Sequence, residues 1–478
     1  MKPARPVAVL AVLFVLAVLF VLLGCRATRA TGPLPQEAYV WQQVWGPEVG
    51  AALTRAPDLA GIVLLAAEVD LSVKPPRVSR ATYDAEALKG PVGLAIRIGR
   101  FARRGGETHR FAETPDLTAR LARLAERLVA DARQRGIEVS EFQLDYDCPE
   151  SRLDDYPVLV RAVREAVAPI PVTITALPSW LRDRRGLGRL LDAVDGWVLQ
   201  VHSLEPPRRP DAAIELCDPQ AARRAVEAAA RFRKPFRVAL PTYSYLIAFA
   251  PTGDLLGVSA EGPLPSWPPG VLVRVARSDP DAMAGLLRDW TADRPEELQG
   301  VIWYRLPVAG DRLNWPWPAF QAVRARRSPR RDLRTVRRAA GPGLVEIELV
   351  NAGEAEEGWP VIVELSWTAG ELIAADGLAG YQVLRTGPRA LRLERSTTPW
   401  DRALRPGERR RVGWVRLAEG HVILPPHAPP RALRRRDAPP GAGGDGTHRR
   451  AHRIPAGPAR VADPRRVQAR EESRRASP

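Results

Sequence analysis

Cysteine is almost absent from this chain: 478 residues hold only Cys25, Cys148 and Cys217. Beyond Cys25 only Cys148 and Cys217 remain, which cannot form a zinc cluster and exclude a fold stapled by several disulfides. One bridge between Cys148 and Cys217 fits an oxidising compartment, and two free buried thiols fit the same pair. Lysine is as rare, with Lys2, Lys74, Lys89 and Lys234 the only four among 71 basic residues. That bias matches a GC-rich genome better than a phosphate-binding surface. No phosphate loop, nucleophile elbow or dinucleotide fingerprint occurs, so no cofactor is expected. No His, Asp and Glu grouping has metal-ligand spacing, so no metal is expected either. Beyond the N-terminus no apolar run approaches bilayer-spanning length.

The formal net charge of +16 suggests nucleic acid until it is localised. Arg431 to Pro478 alone nets +8, and residues 25–430 carry only +6. Half of the net charge is therefore in a Pro-, Gly-, Ala- and Arg-rich tail, residues 421–478, that lacks apolar clusters and reads as disordered. Such a tail suits weak contact with anionic surfaces, and it is equally what GC-rich DNA yields when read out of frame. Nucleic acid is not an expected partner.

What is present begins with an export signal. Lys2 and Arg5 precede an uninterrupted apolar run from Val7 to Leu23, then Gly24-Cys25. A positive start, an apolar middle and a small residue before the cut describe a secretory signal. Cysteine directly after Gly24 makes residues 1–24 a lipoprotein signal, with Cys25 as the lipid-attachment site and residues 25–38 as a tether. Leu23 is larger than that box prefers, and an uncleaved anchor is the alternative. Either reading places the remainder at the cell envelope, on its periplasmic face or outer surface.

Between residues 39 and 325 short apolar runs alternate with amphipathic segments. Eight strands are expected: Tyr39–Trp45, Ile62–Ala67, Val92–Ile98, Glu141–Asp147, Val172–Leu177, Gly196–His202, Phe236–Leu240 and Gly300–Tyr304. Leu117, Leu121, Leu124 and Leu128 set a helical spacing over 115–136, and Asp-Pro opens segments at 218 and 279. Eight βα units form an α/β fold of the (β/α)8 TIM-like barrel type. An open doubly wound sheet is less suited, because no glycine-rich turn follows the first strand. Residues 326–342 read as a linker. From 343 to 420 alternation such as Val345-Glu346-Ile347-Glu348-Leu349 gives a small all-β sandwich.

In such a barrel the chemistry lies at the C-terminal strand ends. On strand four Gln143, Asp145 and Asp147 share parity and point to one side. Paired carboxylates in the upper layers of a barrel are costly to bury and suit general acid–base work. Neighbouring strand ends add Gln200 and His202, Tyr243, and Arg305. Trp41, Gln43 and Trp45 come from strand one, Glu68 from strand two, Arg97 from strand three. Carboxylates with aromatic platforms and one cation suit a carbohydrate. Structural roles compete with each of these: Asp145 locked to Arg97 or Arg305, His202 satisfied in the core, tryptophans packed rather than stacking. The Asp-x-Asp of sugar-nucleotide transferases fails on context, since an exported barrel has no supply of nucleotide sugars.

Several motifs in one order carry a resemblance. Gln143–Pro149 (QLDYDCP), Thr175–Leu181 (TALPSWL), Gln200–His202 (QVH), Leu240–Tyr243 (LPTY) and Arg305–Pro307 (RLP) resemble a bacterial family catalogued as domain of unknown function 3142, many of whose members are lipoproteins. The resemblance implies a glycosidase-like barrel and no established activity. More distantly, Asp145-Tyr146-Asp147 is similar to the strand-four signature of family 18 glycoside hydrolases, the chitinases. There a glutamate two residues after the Asp-x-Asp protonates the glycosidic oxygen. Here Pro149 holds that place and Glu150 follows it, and a one-residue slip reverses side-chain direction on a strand.

Two functions follow as expectations. One is a membrane-tethered glycoside hydrolase in which Asp147 or Glu150 is the general acid and Asp145 its partner carboxylate. Gln143, His202, Tyr243 and Arg305 would hold the substrate, with Trp41 or Trp303 as stacking surface. The other is a non-catalytic envelope lipoprotein that binds glycan or scaffolds an assembly. In both the partner is a carbohydrate or envelope polysaccharide. The oligomeric state is unknown from sequence.

Overall fold

The computed structural model describes residues 28–73, 75–99, 110–203, 207, 209–212, 214–260, 267–395 and 403–424. The expected signal segment, Cys25 and the tail beyond residue 424 lie outside these residues. The chain divides into two compact units, the first taking the described residues up to Val201, Pro219–Leu240 and Leu286–Tyr304.

That first unit is the barrel. Its strands are β1 (Gln36–Val40), β2 (Gly61–Asp70), β3 (Val92–Ile98), β4 (Val139–Tyr146), β5 (Val172–Ala176), β6 (Gly196–Gln200), β7 (Phe236–Pro241) and β8 (Leu298–Tyr304). They form one parallel ring in chain order, closed where β1 pairs with both β2 and β8. The (β/α)8 expectation is thus met. Helices α1 (Pro47–Thr54), α2 (Pro115–Gln134), α3 (Tyr156–Val167), α4 (Arg184–Leu191) and α5 (Pro219–Ala230) follow β1, β3, β4, β5 and β6. After β2 comes instead a short strand, Arg77–Arg80, antiparallel to it. In α2 the buried residues Leu121, Ala125, Leu128 and Ala132 recur at helical spacing, and Pro115 starts the helix where no N–H is needed.

Interior residues alternate along each strand. Four glycines, Gly61, Gly93, Gly196 and Gly300, stand near the N-terminal strand ends and leave room for long side chains. A Cβ at Gly93 would come within 2.9 Å of Glu141 Cγ. The room is filled by charge: Arg237 of β7 donates to Glu37 of β1 and, at 2.7 Å, to Glu141 of β4, which also accepts from the Thr173 hydroxyl at 2.7 Å. One layer up, the Tyr39 hydroxyl donates to Gln143 at 2.6 Å amid Val63, Ala95, Ala239 and Ile302.

A buried carboxylate ties the barrel's helical layer. Asp155, before α3, accepts from the backbone N–H of Phe111 at 2.6 Å and of Ala112 at 2.9 Å. Asp155→Ala would orphan both donors, and each unsatisfied buried group costs about 1–3 kcal/mol. A drop of about 2–4 kcal/mol in the urea unfolding of the barrel is expected. A loss below about 0.5 kcal/mol would show that water replaces the carboxylate.

The second unit holds His202–Asp218, Pro241–Gly285 and the chain from Arg305. Within it Ser244–Phe249 lies between Leu255–Ser259 and Leu272–Arg277 in a three-stranded antiparallel sheet. Two four-stranded sheets share a core of Ile347, Leu349, Val363, Leu365, Leu391, Leu393, Val412 and Val415. Two sheets packed over one apolar core make a β-sandwich.

Several boundaries differ from the sequence reading. Residues 28–38 are no free tether: Arg29–Ala30 pairs with Arg294–Pro295, Arg29 forks onto Asp293 and also pairs with Glu227, and β1 begins at Gln36. The stretch 326–342 is not a linker, because Leu333–Gly341 is a nine-residue strand paired with Leu344–Asn351. Its arginines disguise it: Arg338 pairs with Glu346 across the sheet. Val422–Ile423, assigned to the tail, adds to the sandwich edge. No helix among the described residues is long and apolar enough to cross a membrane.

Candidate active site

At the C-terminal ends of β2, β3 and β4 the interior turns polar. Arg97 is paired in register with Glu68 on one side and Asp145 on the other. Its guanidinium lies 3.9 Å from Glu68. Burial alone would lower the Arg97 pKa, but Asp145, then Tyr304, Asp147 and Glu68, hold it well above the ordinary arginine value. Asp145 also accepts from the Thr175 hydroxyl of β5 at 2.7 Å. Glu68 accepts from Gln43 Nε2. A bulge between Leu65 and Ala67 resets the alternation of β2 and brings Glu68 opposite Arg97. The outcome is three carboxylates around one cation at the barrel mouth.

Tyr304 ends β8 beside this group. It is half-buried and meets Trp41 edge-on at 5.3 Å and Tyr39 at 5.7 Å, while Tyr39 and Trp41 stand 5.2 Å apart. Three mutually edge-on rings fix one another, each pair adding about 0.5–1.5 kcal/mol beyond burial.

The structure separates the expected site residues. Asp145 stands in the mouth. Asp147 lies just past the end of β4, where Cys148 N–H donates to Tyr146 O at 2.7 Å and the chain turns. Alternation along a strand therefore does not fix its direction, although its charge reaches Arg97. Glu150 is exposed, opens a one-turn 3-10 helix (Glu150–Arg152), and its carboxylate has no partner among the described residues. Gln143, expected to bind substrate, is fully buried one layer down, accepting from Tyr39 and donating to Thr173 at 3.2 Å. Trp303, expected to stack on a sugar, is fully buried on the outward side of β8 and donates to Gln36 at 3.0 Å. Its neighbours Ile302 and Tyr304 are the inward pair. Trp41 is inward but only 2% exposed, a packed ring rather than an open platform.

His202, Tyr243 and Arg305 belong to the second unit. There the Tyr243 hydroxyl lies 3.3 Å from His202 Nδ1 and 3.4 Å from the Tyr245 hydroxyl, all three residues buried. Burial lowers the His202 pKa to about 3, so the ring is neutral through the physiological range. Arg305 is 4% exposed and committed to Asp311 at 2.6 Å and the Ala260 carbonyl at 3.2 Å, a buried lock rather than an open substrate clamp. Cys148 and Cys217 are both free and buried, and burial pushes the Cys217 thiol up to about 12. Among the described residues no three His, Cys, Asp or Glu side chains gather as a metal requires.

Two residues of the mouth went unassigned in the sequence, Thr175 and Tyr304. Parity could have found both. Thr175 shares a face with Thr173, and Tyr304 with Ile302.

No curated protein matches the chain. The spore cortex-lytic enzyme SleL of Bacillus megaterium QM B1551 is 10% identical, with a TM-score of 0.42 over 58% of this chain and 72% of that one. The Bacillus cereus SleL is 12% identical, TM-score 0.42, over 62% and 75%. YdhD of Bacillus subtilis is 13% identical, TM-score 0.35, over 52% and 91%. Residues 334–418 match a second domain of unknown function, DUF8456, within the second unit. Over residues 111–309, which carry β4 to β8 and all five sequence motifs, the chain matches the domain of unknown function DUF3142, the family that those motifs indicated.

Proposed function

We propose that this protein is an envelope lipoprotein, lipid-anchored at Cys25, whose barrel mouth hydrolyses a polysaccharide by carboxylate acid–base catalysis. The observation that carries the reading is the Asp145 carboxylate, held by Thr175 at the C-terminal end of β4 with Arg97 facing it. A fixed carboxylate with a cation behind it suits a base, a nucleophile or a stabiliser of developing positive charge. Asp147 is the acid in this reading. Tyr304 supplies the half-exposed ring beside it. The anchor rests on Lys2, Arg5, the apolar run and Gly24-Cys25.

One observation favours a second reading, a glycan-binding protein without turnover. Pro149 follows Asp147 and Cys148, and Glu150 after it is exposed and without a partner among the described residues, so no buried acid follows Asp145-Tyr146-Asp147 on β4. A panel of envelope glycans assayed for both new reducing ends and bound ligand separates the two. Hydrolysis by the parent that Asp147→Asn removes supports the enzyme. Binding without turnover in the parent, surviving Asp145→Asn and Asp147→Asn, supports the binder. Metabolic labelling with palmitate tests the anchor, with Cys25→Ser expected to lose the label.

A further inference from the structure

From the loop that follows β1 we infer a sugar subsite at Trp41–Trp45, beside the carboxylates and assigned by none of the family resemblances. The inference rests on the glycan reading above. Folded chains leave few buried polar atoms without a partner. Here three fall within five consecutive residues: Trp41 Nε1, Gln42 Oε1 and Trp45 Nε1. Two are donors and one is an acceptor, and Trp41 is only 2% exposed.

Relaxation into solvent is not open to this loop, because the backbone is held. Thr82 N–H donates to Gln43 O at 2.7 Å and Trp45 N–H to Thr82 O at 2.9 Å, around a Val44–Thr82 bridge. The rings are fixed as well. Trp45 packs on Tyr83 at 5.9 Å, and Arg135 covers the Tyr83 ring at 4.3 Å. A preformed loop with unmatched donors and an acceptor is what a ligand completes at low ordering cost.

The chemistry selects the ligand class. A hydroxyl both gives and accepts, so one polyol satisfies indole N–H and amide oxygen together. Val44, 74% exposed, offers apolar surface for a ring face beside them. An anion is disfavoured, because Gln43 ties the loop directly to Glu68 in the carboxylate group. The loop therefore fits an uncharged sugar ring, bound beside the carboxylate group to which Gln43 joins the loop.

Calorimetry of the full chain with neutral oligosaccharides of glucose, galactose and N-acetylglucosamine type, two to six rings long, tests this. Trp45→Phe keeps the ring and removes the donor, and Gln42→Leu removes the acceptor. Each is expected to weaken the longest ligand about fivefold to tenfold, and the two-ring ligand less. Trp41→Phe should behave alike, but it sits in the core, so the other two variants decide. If Asp145→Asn abolishes turnover while both variants bind as the parent does, the subsite is overturned and the hydrolase reading stands. If the parent turns nothing over but both variants bind more weakly, the hydrolase reading falls and the subsite stands. Failure of the parent to bind any of these oligosaccharides overturns the subsite.

Discussion

Arg237→Leu is expected to destabilise the barrel by about 3–5 kcal/mol, the cost of removing one member of a buried ion group. Arg237 is the cation between Glu37 and Glu141, with side chains only 16%, 20% and 12% exposed. Burial would lower its pKa, yet Glu141 and Glu37 hold it above the usual arginine value. Leucine fills much of the stem's volume, so the loss measures stranded carboxylates rather than a cavity. Burial already raises the Glu37 pKa against the opposing pull of Arg237. A group raised in the folded state adds stability below its unfolded pKa and loses it as pH rises through the folded one. Without Arg237 that rise grows. The deficit of the variant should therefore be largest at neutral pH and shrink towards about pH 5. Urea unfolding at both pH values reads it. A deficit below about 1 kcal/mol, or one independent of pH, would mean that water already satisfies the carboxylates. Replacing Glu37 and Glu141 by leucine as well should recover much of the loss, because apolar substitutes for a whole buried ion group are often neutral or better.

That charged floor also marks where the sequence stops being legible. The barrel itself could be read, because apolar runs such as Val92–Ile98 and the leucines of α2 carry strong periodicity. Arg237, Glu37 and Glu141 carry no joint signal in the sequence, since each stands in a different strand and only closure of the ring brings them together. The strand at Leu333–Gly341 was hidden for a related reason. Its arginines read as a linker, while the two glutamates that pair with Arg338 sit in the next strand. In the mouth, Asp145 stands on the inward face that strand parity predicts, whereas Trp303, expected as a stacking surface, lies on the outward face of β8. Gln143 has the right face and the wrong height. Parity says which way a side chain points, and only strand register says how far up the barrel it lies.

Height also decides the other large effect, Asp145→Asn, expected to lower glycan turnover by about 10³-fold, within the range for a positioned acid–base group. Asparagine keeps the shape, and its amide oxygen can still accept from Thr175. What it removes is the charge that faces Arg97. A loss in kcat with little change in KM is therefore expected, because the interaction is made in the transition state rather than with bound substrate. Thermal unfolding should move little, since the charges of Asp147 and Glu68 still act on Arg97. Comparison with two further variants assigns the acid. Asp147 lies past β4 within the electrostatic reach of Arg97, so Asp147→Asn should cost about as much as Asp145→Asn. Glu150 is exposed and without a partner among the described residues, so Glu150→Gln should cost less than about tenfold. Full activity in Asp145→Asn would overturn the carboxylate mechanism. A loss in Glu150→Gln equal to that in Asp145→Asn would mean that substrate draws the 3-10 turn inward, making Glu150 the acid despite the proline before it.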